Sequence, residues 1–168
     1  MLQTLSPRLV NFSLPLIALI SILFAMYLEH QLGLLPCPLC MTQRVFIVFT
    51  GLFGLLAALH NPSGWGLRVY GALSAVAAAV GGAVAARHVW LQHLPEDQVP
   101  ACGPSLEYML ETLPFSETLS IVLMGDGNCA EVVWTFLGFS IPELTLMLFA
   151  SLVAVCLWQT LRSIPTRT

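Results

Sequence analysis

Lysine is absent from this chain of 168 residues, and only 9% of its residues carry charge. Soluble domains average about 25%. With 57% hydrophobic residues and a mean hydropathy of +0.84, a soluble fold is excluded, and a single compact helical membrane unit over 1–168 is the natural size. The missing lysines also exclude a basic patch for nucleic acid. There is no low-complexity tract and no internal repeat, so linkers and solenoids are excluded as well. The net charge of −3 is modest; its distribution says more than its size.

Four apolar stretches are each close to the length needed to cross the hydrocarbon core. After a short polar start, Met1 to Ser13, continuous apolarity begins at Leu14, placing a first span at about 14–32. A cleaved signal peptide is the rival reading of this stretch, but further spans follow it and a signal-anchor fits better. The second span is expected at about 41–59, and the cluster His60-Asn61-Pro62-Ser63-Gly64 then turns the chain. The third, about 69–86, is rich in Gly and Ala, which let helices approach closely in lipid, so it belongs at the bundle centre. The fourth is expected at about 141–161. The expected fold is therefore all-α, a four-transmembrane-helix bundle with outward loops at about 29–40 and 87–140.

Four spans place both termini on one side. Arg8, Arg68, Arg162 and Arg167 fall on that side, and all nine acidic residues fall on the other. The positive-inside rule counts the basic residues, so the termini are expected in the cytoplasm and both long loops outside. Arg44 and Arg87 stand at outward span ends against the rule, which makes them candidates for function. Snorkelling to a headgroup is the plainer reading of Arg87.

Four of the five cysteines lie on the outward side: Cys37, Cys40, Cys102 and Cys129. The first two form Cys37-Pro38-Leu39-Cys40 at the mouth of the second span. Pro38 suits the first helical position, which puts Cys37 at the N-cap and Cys40 in the first turn, near unpaired N–H groups and the positive end of the helix dipole. Arg44 follows one turn later on the same face. A thiolate beside a helix N-terminus and a cation is the reactive form of cysteine. Cys37–Cys40 with Cys102–Cys129 is the simplest disulfide pairing, although four cysteines allow three. Cys156, deep in the fourth span, reads as an inert buried thiol.

Between Cys102 and Cys129, Leu106, Met109, Leu110 and Leu113 follow helical spacing with Glu107 and Glu111 opposite. A short amphipathic helix lying at the membrane interface is expected over Ser105 to Leu113, with Ser105 as its cap. Leu119 to Met124 is a second apolar patch. Gly125-Asp126-Gly127-Asn128 reads as a flexible turn beside Cys129. Trp90, Trp134 and Phe136 read as an aromatic belt, and His88 and His93 as interfacial histidines without an assigned role.

Four outward cysteines can pass electrons by thiol–disulfide exchange. A pair at the membrane face suits a lipid-soluble two-electron acceptor, and Arg44 is placed to hydrogen-bond a quinone oxygen. Three stretches then carry a resemblance that covers nearly the whole chain: Cys37-Pro-Leu-Cys40-Met-Thr-Gln-Arg44, the lone Cys102, and Gly127-Asn-Cys129-Ala-Glu-Val-Val-Trp134-Thr-Phe136-Leu-Gly138 followed by Pro142. The chain resembles the disulfide bond formation protein B (DsbB) family of bacterial inner-membrane quinone reductases. The resemblance implies a membrane four-helix bundle with periplasmic redox cysteines. It implies that a reduced DsbA-like periplasmic thioredoxin-fold oxidase attacks Cys102–Cys129, with Cys102 forming the mixed disulfide. Electrons then pass to Cys37–Cys40 by way of a Cys129–Cys37 intermediate. Cys40 is left facing the membrane quinone pool, ubiquinone or menaquinone, with Arg44 assisting.

Three rivals make different demands. A vitamin K epoxide reductase-like protein carries its Cys-x-x-Cys in a late span, the reverse of the order here. A metal sensor or transporter would use Cys37, Cys40, Cys102 and Cys129 as a four-thiolate zinc site; an oxidising compartment opposes four free thiolates, and no metal ligand is assigned. A structural tetraspan with two disulfide staples would be indifferent to loss of Cys40.

Overall fold

The computed structural model describes residues 6–103 and 106–161. Arg162, Arg167 and the expected cap Ser105 lie outside them. Among the described residues four helices are long and apolar enough to cross a membrane: α1 (Pro7–Leu32), α2 (Pro38–His60), α3 (Trp65–Gln92) and, after the long loop, α7 (Ile141–Leu161). The loop carries the short helices α4 (Leu106–Thr112), α5 (Phe115–Met124) and α6 (Gly127–Ala130), then the strands β1 (Thr135–Phe136) and β2 (Phe139–Ser140).

α1 starts earlier than the onset of apolarity. The Ser6 hydroxyl accepts from the Leu9 N–H at 3.3 Å and Pro7 occupies the first turn, a start signal inside the stretch read as a polar lead. The helix also runs on through Glu29, His30 and Gln31 to Leu32, where Gly33 takes the left-handed conformation that ends it (φ 66°). Glu29 therefore sits on a helix rather than in the first outer loop, and this fixes its partner below.

α3 holds the centre. It packs against α2 and α7, and Ala75, Ala78 and Ala85 are buried in one core with Leu14, Ile47 and Phe149. Its small residues leave room for the Phe149 ring at Gly81 and for Thr160 at Gly71. α2 meets α1 in the same way: a methyl group on Gly54 would lie 2.6 Å from Leu14 Cβ, and one on Gly51 2.6 Å from Ala18 Cβ. Cys156 is buried in this core, away from the other four cysteines.

The loop lies over the end of the bundle that carries Cys37 and His88. α4 buries Met109 and exposes Tyr108 and Leu110. α5, which covers the second apolar patch, buries Thr118 and Val122 and exposes Phe115, Leu119 and Leu123, a face suited to the membrane interface. The Thr118 hydroxyl donates to Met109 O at 3.1 Å and joins the two helices. Arg87 donates to Met124 O at 3.2 Å, at the C-terminus of α5, while its guanidinium lies 4.2 Å from the Trp90 ring centre. Its partners belong to the protein, which replaces the snorkelling reading.

The segment Gly125 to Asn128 is packed, not a loose turn. Gly125 (φ 76°) is wedged against Leu91 and Leu39, where a methyl group would come within 2.5 and 2.9 Å. Asp126 and Gly127 are buried. The hairpin that follows pairs Thr135 with Ser140 and Phe136 with Phe139 around Leu137 and Gly138, both at positive φ (52° and 87°). Ser140 then opens α7: its N–H donates to the Glu143 carboxylate at 2.7 Å, and its hydroxyl donates to Gln92 Oε1 at 2.8 Å, tying the start of α7 to the end of α3.

Candidate functional site

All five cysteines are free in this structure. Cys37 is the N-cap of α2, Pro38 opens the helix, and Cys40 stands in its first turn, as the Pro38 argument requires. The Cys37 side chain makes no capping bond. Its sulfur lies instead 3.7 Å from Nε2 of His88, and the Cys40 sulfur lies 4.0 Å from Nδ1 of the same ring. Gln43, also buried, places its side-chain amide 3.2 Å from that Nδ1. α3 thus presents one buried imidazole to both cysteines of the Cys-x-x-Cys pair. His93, five residues on, contacts only the Val89 carbonyl, at 2.8 Å, a local turn contact outside the site.

Cys129 completes the cluster. It is fully buried on α6, against Leu39, Val84 and Leu91, with Cys37 at the edge of the same group. The donor atoms of Cys37, His88 and Cys129 all lie within 4.8 Å of one another. The Cys129 thiol is pushed well above the ordinary thiol range, first by its hydrogen bond to Cys37, then by burial and by the neighbouring Cys37 charge. Backbone N–H groups of Asp126 and Leu39 at its sulfur oppose this only partly.

Cys102 is the exposed member. It lies over the α6 turn: a methyl group on Gly127 would sit 3.0 Å from its sulfur, and the Gly127 N–H donates to Ala101 O at 3.3 Å. Gly103 packs against the Asp126 carboxylate. One short turn thus carries the buried Cys129 on one side and the exposed Cys102 on the other.

Arg44 is neither free nor aimed at lipid. Its Nη1 donates to Oε2 of Glu29 on α1 at 2.8 Å. Arg44 borders a mostly apolar cavity of about 210 Å³ between α1, α2, α7 and the Val133-Trp134 segment, with Cys40, Gln43 and Trp134 also in its wall. An apolar cavity of about 150 Å³ is large enough for a benzene-sized ring. Trp134, read from sequence as part of an aromatic belt, stacks with Phe136 and meets Phe24 of α1 edge-on, and so forms one wall. A second cavity, about 50 Å³, lies on the other side of Cys40 and touches Cys37, His88, Gln92, Asn128 and Glu131.

The structure therefore gathers Cys37, Cys40 and Cys129, keeps Cys102 at the surface beside them, and sets Arg44 at the larger cavity. Sequence reasoning did not find the roles of His88, Gln43, Trp134 and Glu29. For Gln43 and Glu29 a signal existed: Gln43 lies three residues beyond Cys40, and Glu29 is an acidic residue four places before Gly33 on an apolar helix. His88 had none, because its partners are 48 and 51 residues away in the chain.

Over residues 7–159 the sequence matches the family described as "Disulfide bond formation protein DsbB". Curated relatives agree. The disulfide bond formation protein B of Saccharophagus degradans is 55% identical over 141 residues, covering 84% of this chain and 85% of its own. That of Acinetobacter baumannii is 50% identical over 162 residues, covering 96% and 95%. That of a Psychrobacter species is 46% identical over 172 residues, covering 100% and 99%.

Proposed function

The chain belongs to the disulfide bond formation protein B family, and on that premise we propose which of its residues carry the family's reaction and in what order. The protein is a multi-pass inner-membrane oxidoreductase that generates disulfides, taking electrons from a thiol-oxidase partner and passing them to quinone. The partner is a DsbA-like periplasmic thioredoxin-fold oxidase and the acceptor is ubiquinone, with menaquinone as the alternative. The redox cysteines face the periplasm and both termini face the cytoplasm.

The observation that carries the reading is the convergence of Cys37, Cys40, Cys129 and His88 beside an apolar cavity bordered by Arg44. The partner's thiolate attacks the exposed Cys102, breaking Cys102–Cys129 and leaving Cys129 as the thiol. A second partner thiol resolves the mixed disulfide, so the partner leaves oxidised and the loop pair is reduced. Cys129, already within 4.8 Å of Cys37, attacks that sulfur and releases Cys40 as the thiolate. Cys102 then attacks Cys129, re-forming Cys102–Cys129 and returning Cys37 as a thiol, and the Cys37–Cys40 dithiol closes its own disulfide as two electrons and two protons pass to quinone at Cys40, the one cysteine in the wall of the larger cavity. Arg44 and the Gln43 amide supply donors for its oxygen atoms. His88, between the two α2 sulfurs, holds or returns the proton that each exchange moves. The balance is one partner dithiol and one quinone giving one partner disulfide and one quinol.

The test follows quinone absorbance with purified protein in detergent, a reduced periplasmic thiol oxidase and a soluble quinone. Wild type is expected to consume one quinone for each dithiol oxidised, and Cys40→Ser to consume none while still forming the mixed disulfide at Cys102. A folded wild type that oxidises no thiol with any quinone would overturn the reading.

A further inference from the structure

We propose that the reduced site is also a binding site for a thiophilic divalent metal ion of the zinc class, held by Cys37, His88 and Cys129, and that capture of such an ion stalls the relay. Three donor atoms of the kinds zinc prefers, two sulfurs and one imidazole nitrogen, already lie within 4.8 Å of one another. In a tetrahedral zinc site with bonds of about 2.3 Å to sulfur and about 2.0–2.1 Å to nitrogen, neighbouring ligands stand about 3.5–3.8 Å apart. The Cys37 sulfur and His88 Nε2 are separated by 3.7 Å, which is one edge of that tetrahedron.

Two further features support a site rather than a chance cluster. The 50 Å³ cavity reaches Cys37, Cys40 and His88 beside the cluster, and Gln92, Asn128 and Glu131 stand in its otherwise apolar wall. A water molecule needs only about 10–15 Å³, so one has room there beside Cys37 and His88. Cys40 is the alternative fourth ligand. On the far side of the ring, the Gln43 amide stands 3.2 Å from His88 Nδ1. The Gln43 nitrogen faces the ring here; a flip of the amide turns its oxygen to accept the Nδ1 proton and leaves Nε2 bare for the metal, the second-sphere arrangement usual for ligating histidine.

No electrons move on binding. One divalent ion replaces the protons of the Cys37 and Cys129 thiols, which are released. A sulfur in a disulfide cannot serve as a thiolate ligand, so metal and disulfide exclude each other. The ion competes only for the reduced chain, between arrival of electrons from the partner and their departure to quinone. This set differs from a four-cysteine site, because exposed Cys102 has no place in it.

The experiment titrates the reduced protein with Co²⁺ under anaerobic conditions, reading thiolate-to-cobalt absorption, and then displaces the cobalt with Zn²⁺. One ion per chain is expected, and none in the fully disulfide-bonded protein. Cys129→Ser and His88→Ala should each weaken binding by roughly a hundredfold, about one ligand's share of a protein zinc site. Cys102→Ser should bind like wild type. Cobalt bound equally by the oxidised protein, or by Cys129→Ser, would sink the proposal, and loss of binding in Cys102→Ser would point to the four-cysteine set instead. Should Cys129→Ser fail to fold, wild type decides: Zn²⁺ must slow maleimide labelling of Cys37 relative to the zinc-free reduced protein while Cys102 still reacts, and equal labelling of Cys37 with and without Zn²⁺ rejects the site.

Discussion

Arg44 owes its position to Glu29. A guanidinium at a membrane face extends toward headgroups when nothing holds it, and here the carboxylate on α1 holds it beside the cavity at 2.8 Å. Glu29→Ala is expected to raise the KM for quinone about fivefold, the equivalent of about 1 kcal/mol for a partly exposed pair. Arg44→Ala removes the donor itself and should cost more, roughly ten- to a hundredfold in kcat/KM for quinone. Mixed-disulfide formation with the partner should be unchanged in both, since neither residue touches Cys102 or Cys129. Steady-state quinone kinetics beside single-turnover exchange separates the two; equal losses in both assays would reduce the ion pair to a staple between helices. At this scale the legible residues were those whose chemistry is local. Pro38 fixed the register of Cys37 and Cys40 because a proline at the first helical position is a backbone constraint. His88 acquires meaning from partners on another helix, 48 and 51 residues away, and one sequence does not carry that information.

Among the elements, α7 begins at Ile141, where the apolar run begins, because a membrane span is set by length and polarity. The ends of α1 and α3 reach further, since helix geometry does not stop at the hydrocarbon edge when caps and partners continue it. The hairpin at Thr135 to Ser140 was not legible: strands of two residues have no periodicity, and its turn places Leu137 at a positive φ that its side chain disfavours. Gly125 to Asn128 misled for a related reason. Glycine, aspartate and asparagine mark loose turns, but they also mark places where backbone must approach closely, and here Leu39 and Leu91 close on the glycine. The same close approach governs α1 against α2. Gly54→Val would drive a side chain into Leu14, and a loss of roughly 1–3 kcal/mol is expected, read as a lower midpoint of unfolding in detergent. Gly33→Ala makes a control of a different kind: open space surrounds it, so any loss there comes from its positive φ.

The whole molecule is a membrane bundle with its chemistry gathered at one end, and that end defines its sidedness. His60 to Gly64 closes α2 and α3 at the opposite end from Cys37 and His88. With the termini in the cytoplasm, Ser63→Cys is expected to react with an impermeant maleimide only after the membrane is opened, whereas Cys102 in reduced cells reacts from the periplasmic side. The inverse pattern would reverse the orientation and with it the partner's compartment. The bundle itself was legible because hydropathy and the spread of the arginines act over the full chain. The loop's path over the bundle was not, since it depends on a few contacts such as Thr118 with Met109 and Arg87 with Met124.

Cys40 and Trp134 border both cavities, while Arg44 borders only the larger and His88 only the smaller. In the proposed relay the protein substrate meets Cys102 at the surface and the quinone meets Cys40 in the larger cavity, so the two never share a volume. Either substrate can dock while the other is still present. Saturating the enzyme with quinol should therefore slow turnover by blocking discharge, without weakening the grip on the protein substrate.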